Sequence, residues 1–234
     1  MDGSAIDDYR PNVWVREEGG ERQLRIDRTL ASAYRPGRVE TGSVWDALAA
    51  PVLLLERPRP RVAILGFGGG TVARVVRALA PDAEIVGVEA SKEVLRVAEE
   101  SFSLHELRVS LHHDDARAFV RQGAPFDLIV DDVFVADEGV LRKPDGMIDP
   151  GLRDARMRLR PSGLLATNCL EDLPMASAVL REEGAELGCF EFDDCDNRVL
   201  VAGAGVTPAR LQRALRAAPS LARLRRNCRV VAPR

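Results

Sequence analysis

The chain has 234 residues, of which 46% are hydrophobic and 29% charged, and a net charge of −3. That length can bury roughly 70–75% of the unfolded surface, so a core needs neither disulfides nor a metal, and the slight acidity argues against general nucleic-acid affinity. No apolar run approaches the ~18 residues of a membrane span, and Met1-Asp-Gly-Ser4 has no basic segment followed by an apolar one, so a cytoplasmic protein with no membrane partner is expected.

Residues 1–10 read as a frayed end. Segments 12–16 and 22–27 alternate around Glu17-Glu-Gly-Gly20, a hairpin signature. Residues 28–42, with Pro36-Gly37, read as loop and close a β-rich N-terminal segment over 1–42. Ser43 is placed to cap a helix through about Leu55, with Trp45, Leu48, Val52 and Leu55 on one face, until Arg57-Pro-Arg-Pro60 breaks it.

From residue 61, apolar runs near 61–66, 84–89, 107–112 and 126–131 predict strands, and helices fall near 70–80, 91–101 and 115–121. Nearly continuous apolar strands imply helices on both faces of the sheet. Residues 133–150 lack periodicity, and a long loop in a compact α/β domain is usually functional, here read as a lid. A helix near 151–159 stops at Pro161-Ser-Gly163, followed by a strand at 164–168 and a helix near 173–183. A hairpin over 186–192 and 197–202, a helix at 207–217 and a basic tail complete the chain. Residues 43–234 therefore form a Rossmann-like α/β domain. The two α/β halves and the terminal hairpin suggest a seven-stranded sheet with its last strand antiparallel, as in Class I S-adenosylmethionine enzymes.

Cys169, Cys189, Cys195 and Cys228 show no C-x-x-C pairing and read as isolated thiols. Successive residues of His112-His113-Asp114-Asp115 would point to opposite strand faces, so no metal site is expected there.

The run Arg61-Val-Ala-Ile-Leu-Gly-Phe-Gly-Gly-Gly-Thr-Val-Ala-Arg74 is a strand, a glycine turn and a helix start, and the next strand ends at Glu89. A carboxylate about 20 residues beyond the glycines is spaced to accept both hydroxyls of a ribose. Ligands in such sheets lie beyond the carboxyl ends of the strands. Gly66 and Gly68 would then form the turn under the amino-acid part of the ligand, with Gly70 completing it. Asp115, after the third strand, could accept from an adenine amino group, and Asp132, after the fourth, could face a sulfonium and its acceptor. Each position also has a structural alternative. Glu89 can simply precede a helix capped by Ser91, Asp115 can cap the helix at 116–121 with Asp114 competing for either role, and Asp131 or Asp132 can be a solvated strand end. Gly68-x-Gly70-x-x-Ala73 also fits a dinucleotide fingerprint.

On these residues the chain resembles the spermidine synthase (polyamine aminopropyltransferase) family, over nearly its whole length. Further parts of the resemblance are Asp114-Asp115-Ala-Arg-Ala-Phe119, Phe126-Asp-Leu-Ile-Val-Asp-Asp132 and Asn197-Arg-Val-Leu-Val-Ala202. The family implies a small N-terminal β domain, frequent homodimers, decarboxylated S-adenosylmethionine as aminopropyl donor and a small amine as acceptor. Carried over, Gly66 and Gly68 line the donor, Glu89 binds ribose, Asp115 binds adenine and Asp132 orients or deprotonates the amine. Three departures fall on the acceptor side: Gly69 replaces the acid of a G-G-D-G-G turn, Val135 replaces the second acid of D-x-x-D, and Val44 stands where a tyrosine is common. Gly-Phe-Gly-Gly-Gly-Thr71 looks like a spermidine-synthase-like branch. A diamine's distal charge would then need Asp46, an acid of 193–196, or Asp137 and Glu138 on the lid.

Two other readings stand beside this one. S-adenosylmethionine-dependent methyl transfer to a small molecule would use the same nucleoside contacts. A catalytically eroded nucleoside-binding or interaction protein is the other, because after Asp196 the chain has nine Arg and no acid.

Overall fold

The computed structural model describes residues 12–137 and 140–233. Three antiparallel strands open it: β1 (Val13–Glu18), β2 (Glu21–Ile26) and β3 (Thr29–Tyr34), in the order β1-β2-β3. The expected hairpin is present, but β3 lies in the stretch read as loop. Its Ala31-Ser32-Ala33 core has no apolar alternation to announce a strand. Those small side chains instead let the backbone lie close against a later glycine turn, with Ser32 and Ala33 buried. Helix α1 (Val44–Ala49) passes into a tighter 3-10 turn over Ala50–Leu54, where one continuous helix was expected. Pro51 lacks the N–H that would continue the α-helical ladder, which accounts for the change.

The Rossmann-like part then alternates: β4 (Arg61–Leu65), α2 (Thr71–Leu79), β5 (Glu84–Glu89), α3 (Lys92–Ser101), β6 (Val109–His113), α4 (Ala116–Val120) and β7 (Phe126–Asp131). The aperiodic stretch contains two short antiparallel strands, β8 (Val135–Asp137) and β9 (Val140–Arg142). There follow α5 (Gly151–Met157), β10 (Leu159–Cys169), α6 (Leu173–Glu182), β11 (Glu186–Phe192), β12 (Arg198–Gly203), α7 (Pro208–Ala217), α8 (Ala222–Asn227) and β13 (Cys228–Val231).

The main sheet has the order β13-β11-β12-β10-β7-β4-β5-β6, eight strands where seven were expected. Strands β4, β5, β6, β7 and β10 run parallel, and β12 pairs antiparallel with β10. The extra strand is β13, formed by part of the expected basic tail. It pairs with β11 and buries Val230, and its helix α8 buries Leu224. Pro161-Ser-Gly163 does not delimit a strand start either: β10 begins at Leu159, and the irregularity appears as a register shift between Leu159 and Leu164.

Alternate residues of each central strand feed opposite faces. Val62, Ile64, Leu128 and Val130 pack with α1, α2, α3 and α7 on one side. Ala63, Leu65, Ile129 and Leu165 pack with α4, α5 and α6 on the other. The register aligns Leu65 with Val88 and Asp131, and Asp131 with Thr167. Gly66, Glu89, Asp132 and Asn168 therefore emerge side by side at one crest. The chain leaves β4 toward β5 on one side, while β7 lies on the other, so this crest is the topological switch point.

Candidate functional site

The glycine turn is shaped by its neighbours. Gly66 has φ +76°, and a Cβ there would stand 2.5 Å from the Asp132 carbonyl oxygen. Only glycine lets the turn pass so close to the end of β7. The amides of Gly66 and Phe67 both donate to the Val88 carbonyl at 3.0 Å. Gly68 N–H donates to Glu89 Oε2 at 3.0 Å, and Gly69 N–H donates to Ser32 Oγ at 2.7 Å. Thr71 Oγ1 donates to the Ala33 carbonyl and accepts the Ala33 amide. The turn is thus gripped by β5 on one side and β3 on the other. Gly70 immediately precedes α2 and faces the interior, towards Phe67, Leu104 and Leu107.

Glu89 Oε1 accepts the Ser91 amide at 3.1 Å, so its carboxylate bridges the turn and the start of α3. Burial pushes its pKa up, while the amides of Gly68, Ser91 and Ala90 and nearby His113 act the other way. Each carboxylate oxygen has a second lone pair, so ribose hydroxyls can still donate to it. The capping alternatives are also real: Ser91 Oγ accepts Val94 N–H, and Asp115 Oδ1 accepts Ala118 N–H at 2.9 Å. Asp115 is half-buried and its cap uses Oδ1, leaving Oδ2 to meet a base. Asp114 is exposed, and its Oδ1 accepts the Asp115 amide at 2.8 Å.

Asp131 and Asp132 end in different environments because adjacent residues leave the strand on opposite faces. Asp131 is fully buried: Oδ2 accepts Lys143 Nζ at 2.8 Å and Thr167 Oγ1 at 2.6 Å, and Oδ1 accepts Val133 N–H at 3.1 Å. Lys143 Nζ also lies 4.5 Å from the centre of the Phe134 ring. Asp132 Oδ1 accepts Asn168 Nδ2 at 2.8 Å, and Asn168 Oδ1 accepts Asn197 Nδ2 at 3.0 Å. The nearby Trp45 side chain also favours the charged form of Asp132. Burial pushes the Asp132 pKa up to about 6, against the Asn168 hydrogen bond and the Lys143 charge, which lower it. Asp132 can therefore accept a proton near neutrality, where an ordinary carboxylate is a weaker base.

Lys143, Asn168, Asn197 and Trp45 were not among the sequence candidates. Trp45 was read only as an apolar-face residue. A polar Thr167-Asn168 at the end of an apolar run was the available signal for the asparagine. Asp46 is excluded as an acceptor for a substrate amine, because it is buried and accepts Thr41 N–H, Thr41 Oγ1–H and Gly42 N–H. Glu138 and the side chain of Asp137 lie outside the described residues. Asp196 borders a cleft of about 940 Å³ beside the crest, shared with Lys143, Asp149, Glu171, Asp172 and Met175. Among the described residues no set of three or more His, Cys, Asp or Glu side chains is arranged to hold a metal, and no helix is long and apolar enough to cross a membrane.

A sheet with this strand order and with acids after successive strands has the Class I S-adenosylmethionine-dependent transferase fold. A family model described as a methyltransferase domain matches residues 62–163. Among proteins of that fold the chain is similar both to a polyamine aminopropyltransferase and to methyltransferases. It is 29% identical over 160 residues to a polyamine aminopropyltransferase of Vibrio vulnificus, a match covering 63% of this chain and 52% of that protein. The chain spans about half the length of the curated relatives it matches. The crystal structure of a probable spermidine synthase from Corynebacterium glutamicum superposes with a TM-score of 0.74 at 20% identity, covering 96% of this chain and 90% of that one. Human methyltransferase-like protein 13, in complex with SAH, gives a TM-score of 0.60 at 20% identity, covering 78% and 92%.

Proposed function

We propose that the chain is a transferase that moves an alkyl group from a sulfonium nucleoside to a small amine, with decarboxylated S-adenosylmethionine as aminopropyl donor. One observation carries this reading: Asp132 is a carboxylate with its pKa raised to about 6, oriented by Asn168 and packed against the donor turn at Gly66. The amine lone pair attacks the carbon bonded to sulfur, the C–S bond breaks, and its electron pair leaves on sulfur as a neutral thioether. Asp132 takes the proton released by the amine. Because the leaving group is neutral, catalysis rests on in-line positioning and on that proton transfer. Glu89 and Asp115 would hold ribose and adenine, and Gly66 and Gly68 would cradle the amino-acid end.

The second reading, methyl transfer from S-adenosylmethionine, is favoured by the acceptor side. A side chain at residue 69 would meet Ser32 Cβ at 2.9 Å and Phe102 at 3.0 Å, so the turn has no room for an acid there. Val135 supplies no charge, and the buried cation nearest Asp132 belongs to the protein, at Lys143. Calorimetry with each donor, followed by mass spectrometry of products from a panel of monoamines and diamines, separates the readings. The aminopropyl reading fails if only the carboxylated donor binds, and both fail if neither donor does.

A further inference from the structure

A second pocket lies where β3 and the segment after it meet α2. Its volume is about 170 Å³, well below the ~300–1,000 Å³ usual for drug-sized ligands. Four arginines from three parts of the chain line it: Arg35 and Arg38 from the segment after β3, Arg74 from α2 and Arg223 from α8. Among the described residues none of the four forms an ion pair. Two carboxylates share the lining, but both already accept from neutral donors: Glu40 from the Arg223 backbone amide and Glu21 from Gln23 Nε2.

Arg74 is the most constrained of the four. It is 9% exposed, stacks 3.9 Å from the centre of the Tyr34 ring, and donates one terminal nitrogen to the Phe102 carbonyl. Its Nε is buried with no hydrogen-bond partner, and the same is true of Arg35 Nε. Burial lowers the Arg74 pKa, with Glu106 the nearby carboxylate that opposes the shift. Buried N–H donors are almost always satisfied, and a guanidinium fork is shaped for an oxyanion.

We infer that this pocket binds a small tetrahedral oxyanion of the phosphate class, held by Arg35, Arg38, Arg74 and Arg223. The inference does not depend on the transferase reading. The pocket shares Ala33 and Thr71 with the clamp on the glycine turn, so an anion there braces β3 against α2.

Isothermal calorimetry and thermal unfolding on the full chain test it, with inorganic phosphate, acetate, and chloride at matched ionic strength. The expected result is one saturable phosphate site per chain and a rise in Tm that acetate and chloride do not reproduce. Arg38 is exposed at the pocket rim and Arg35 only half-buried, so R35Q/R38Q is expected to keep its anion-free Tm while binding phosphate more than about tenfold more weakly. Equal responses to phosphate and chloride overturn the proposal, as does acetate binding as tightly as phosphate. Undiminished binding by a folded double variant also overturns it. Should that variant not fold, saturable broadening of the phosphorus-31 signal with the unmodified chain decides: it is expected with phosphate and suppressed by excess phosphate, and its absence overturns the proposal.

Discussion

The Asn168 amide donates to Asp132 at 2.8 Å while its own carbonyl accepts from Asn197 at 3.0 Å. The two asparagines come from the end of β10 and the start of β12, which pair antiparallel with Asn168 opposite Val199. The orientation of the candidate base is therefore set by the one antiparallel junction beside the switch point. Because this bond favours the charged carboxylate, Asn168→Ala should raise the Asp132 pKa above about 6. The acid limb of the kcat/KM profile should move up by about one unit. A profile that stays in place while kcat falls would assign Asn168 a role unrelated to this proton.

Asp132 should also leave a mark on stability. Its folded pKa of about 6 exceeds the ordinary 3.8, so between these values the folded state binds a proton that the unfolded state has released. Its stabilising contribution is complete below pH 3.8 and is lost as pH rises through about 6. Asp132→Asn removes that dependence, so its Tm relative to the parent should be higher at pH 7 than at pH 4. Turnover should fall by about 10²–10⁴-fold if the residue is the general base. Thermal scans and initial rates on the same samples check both outcomes.

Glu89 bridges the glycine turn and the start of α3, and in the proposed function it also holds the ribose. Replacing it with Gln keeps the shape but removes the charge that strengthens hydrogen bonds from hydroxyl groups. Affinity for S-adenosylhomocysteine should drop by about tenfold to a hundredfold, from ~1.5–3 kcal/mol per bond to a charged group. Calorimetry measures this directly, and unchanged affinity would remove Glu89 from the donor site.

Gly69→Asp would restore the acid of the diamine-binding pattern, but in a crowded place. The new Cβ would lie 2.9 Å from Ser32 Cβ and 3.0 Å from Phe102 Cδ1. A loss of about 1–3 kcal/mol is expected, read from urea midpoints at constant m.

Lys143→Met should cost more. It leaves Asp131 buried without its cation, a change worth about 3–5 kcal/mol. Adding Asp131→Asn should recover much of that loss. Chemical denaturation of the single and double variants tests the coupling.

The parts legible in the sequence are those written in short-range pattern. The apolar runs of β4, β5 and β7, the turn at Gly66–Gly70 and the acids Glu89 and Asp132 all sit where spacing alone puts them. Strand β3 was missed because its small residues answer to the turn at Gly68–Thr71, nearly 40 positions away. β13 was hidden in a run of arginines, since its pairing to β11 depends on Val230 and not on an alternating pattern. Lys143 and Asn168 gave little signal for a different reason. Their roles arise only when β7, β10 and the segment after β9 are brought together, so no single window of sequence contains the contact.

The ties from Ser32 and Thr71 make the three-stranded sheet a brace for the glycine turn. A shortened chain starting at Val44 would retain all eight strands of the main sheet. It would nonetheless leave the Gly69 amide and the Thr71 hydroxyl of the glycine turn without their partners. Its buried Asp46 would also lose the Thr41 and Gly42 donors, so such a truncate should be less stable than the full chain.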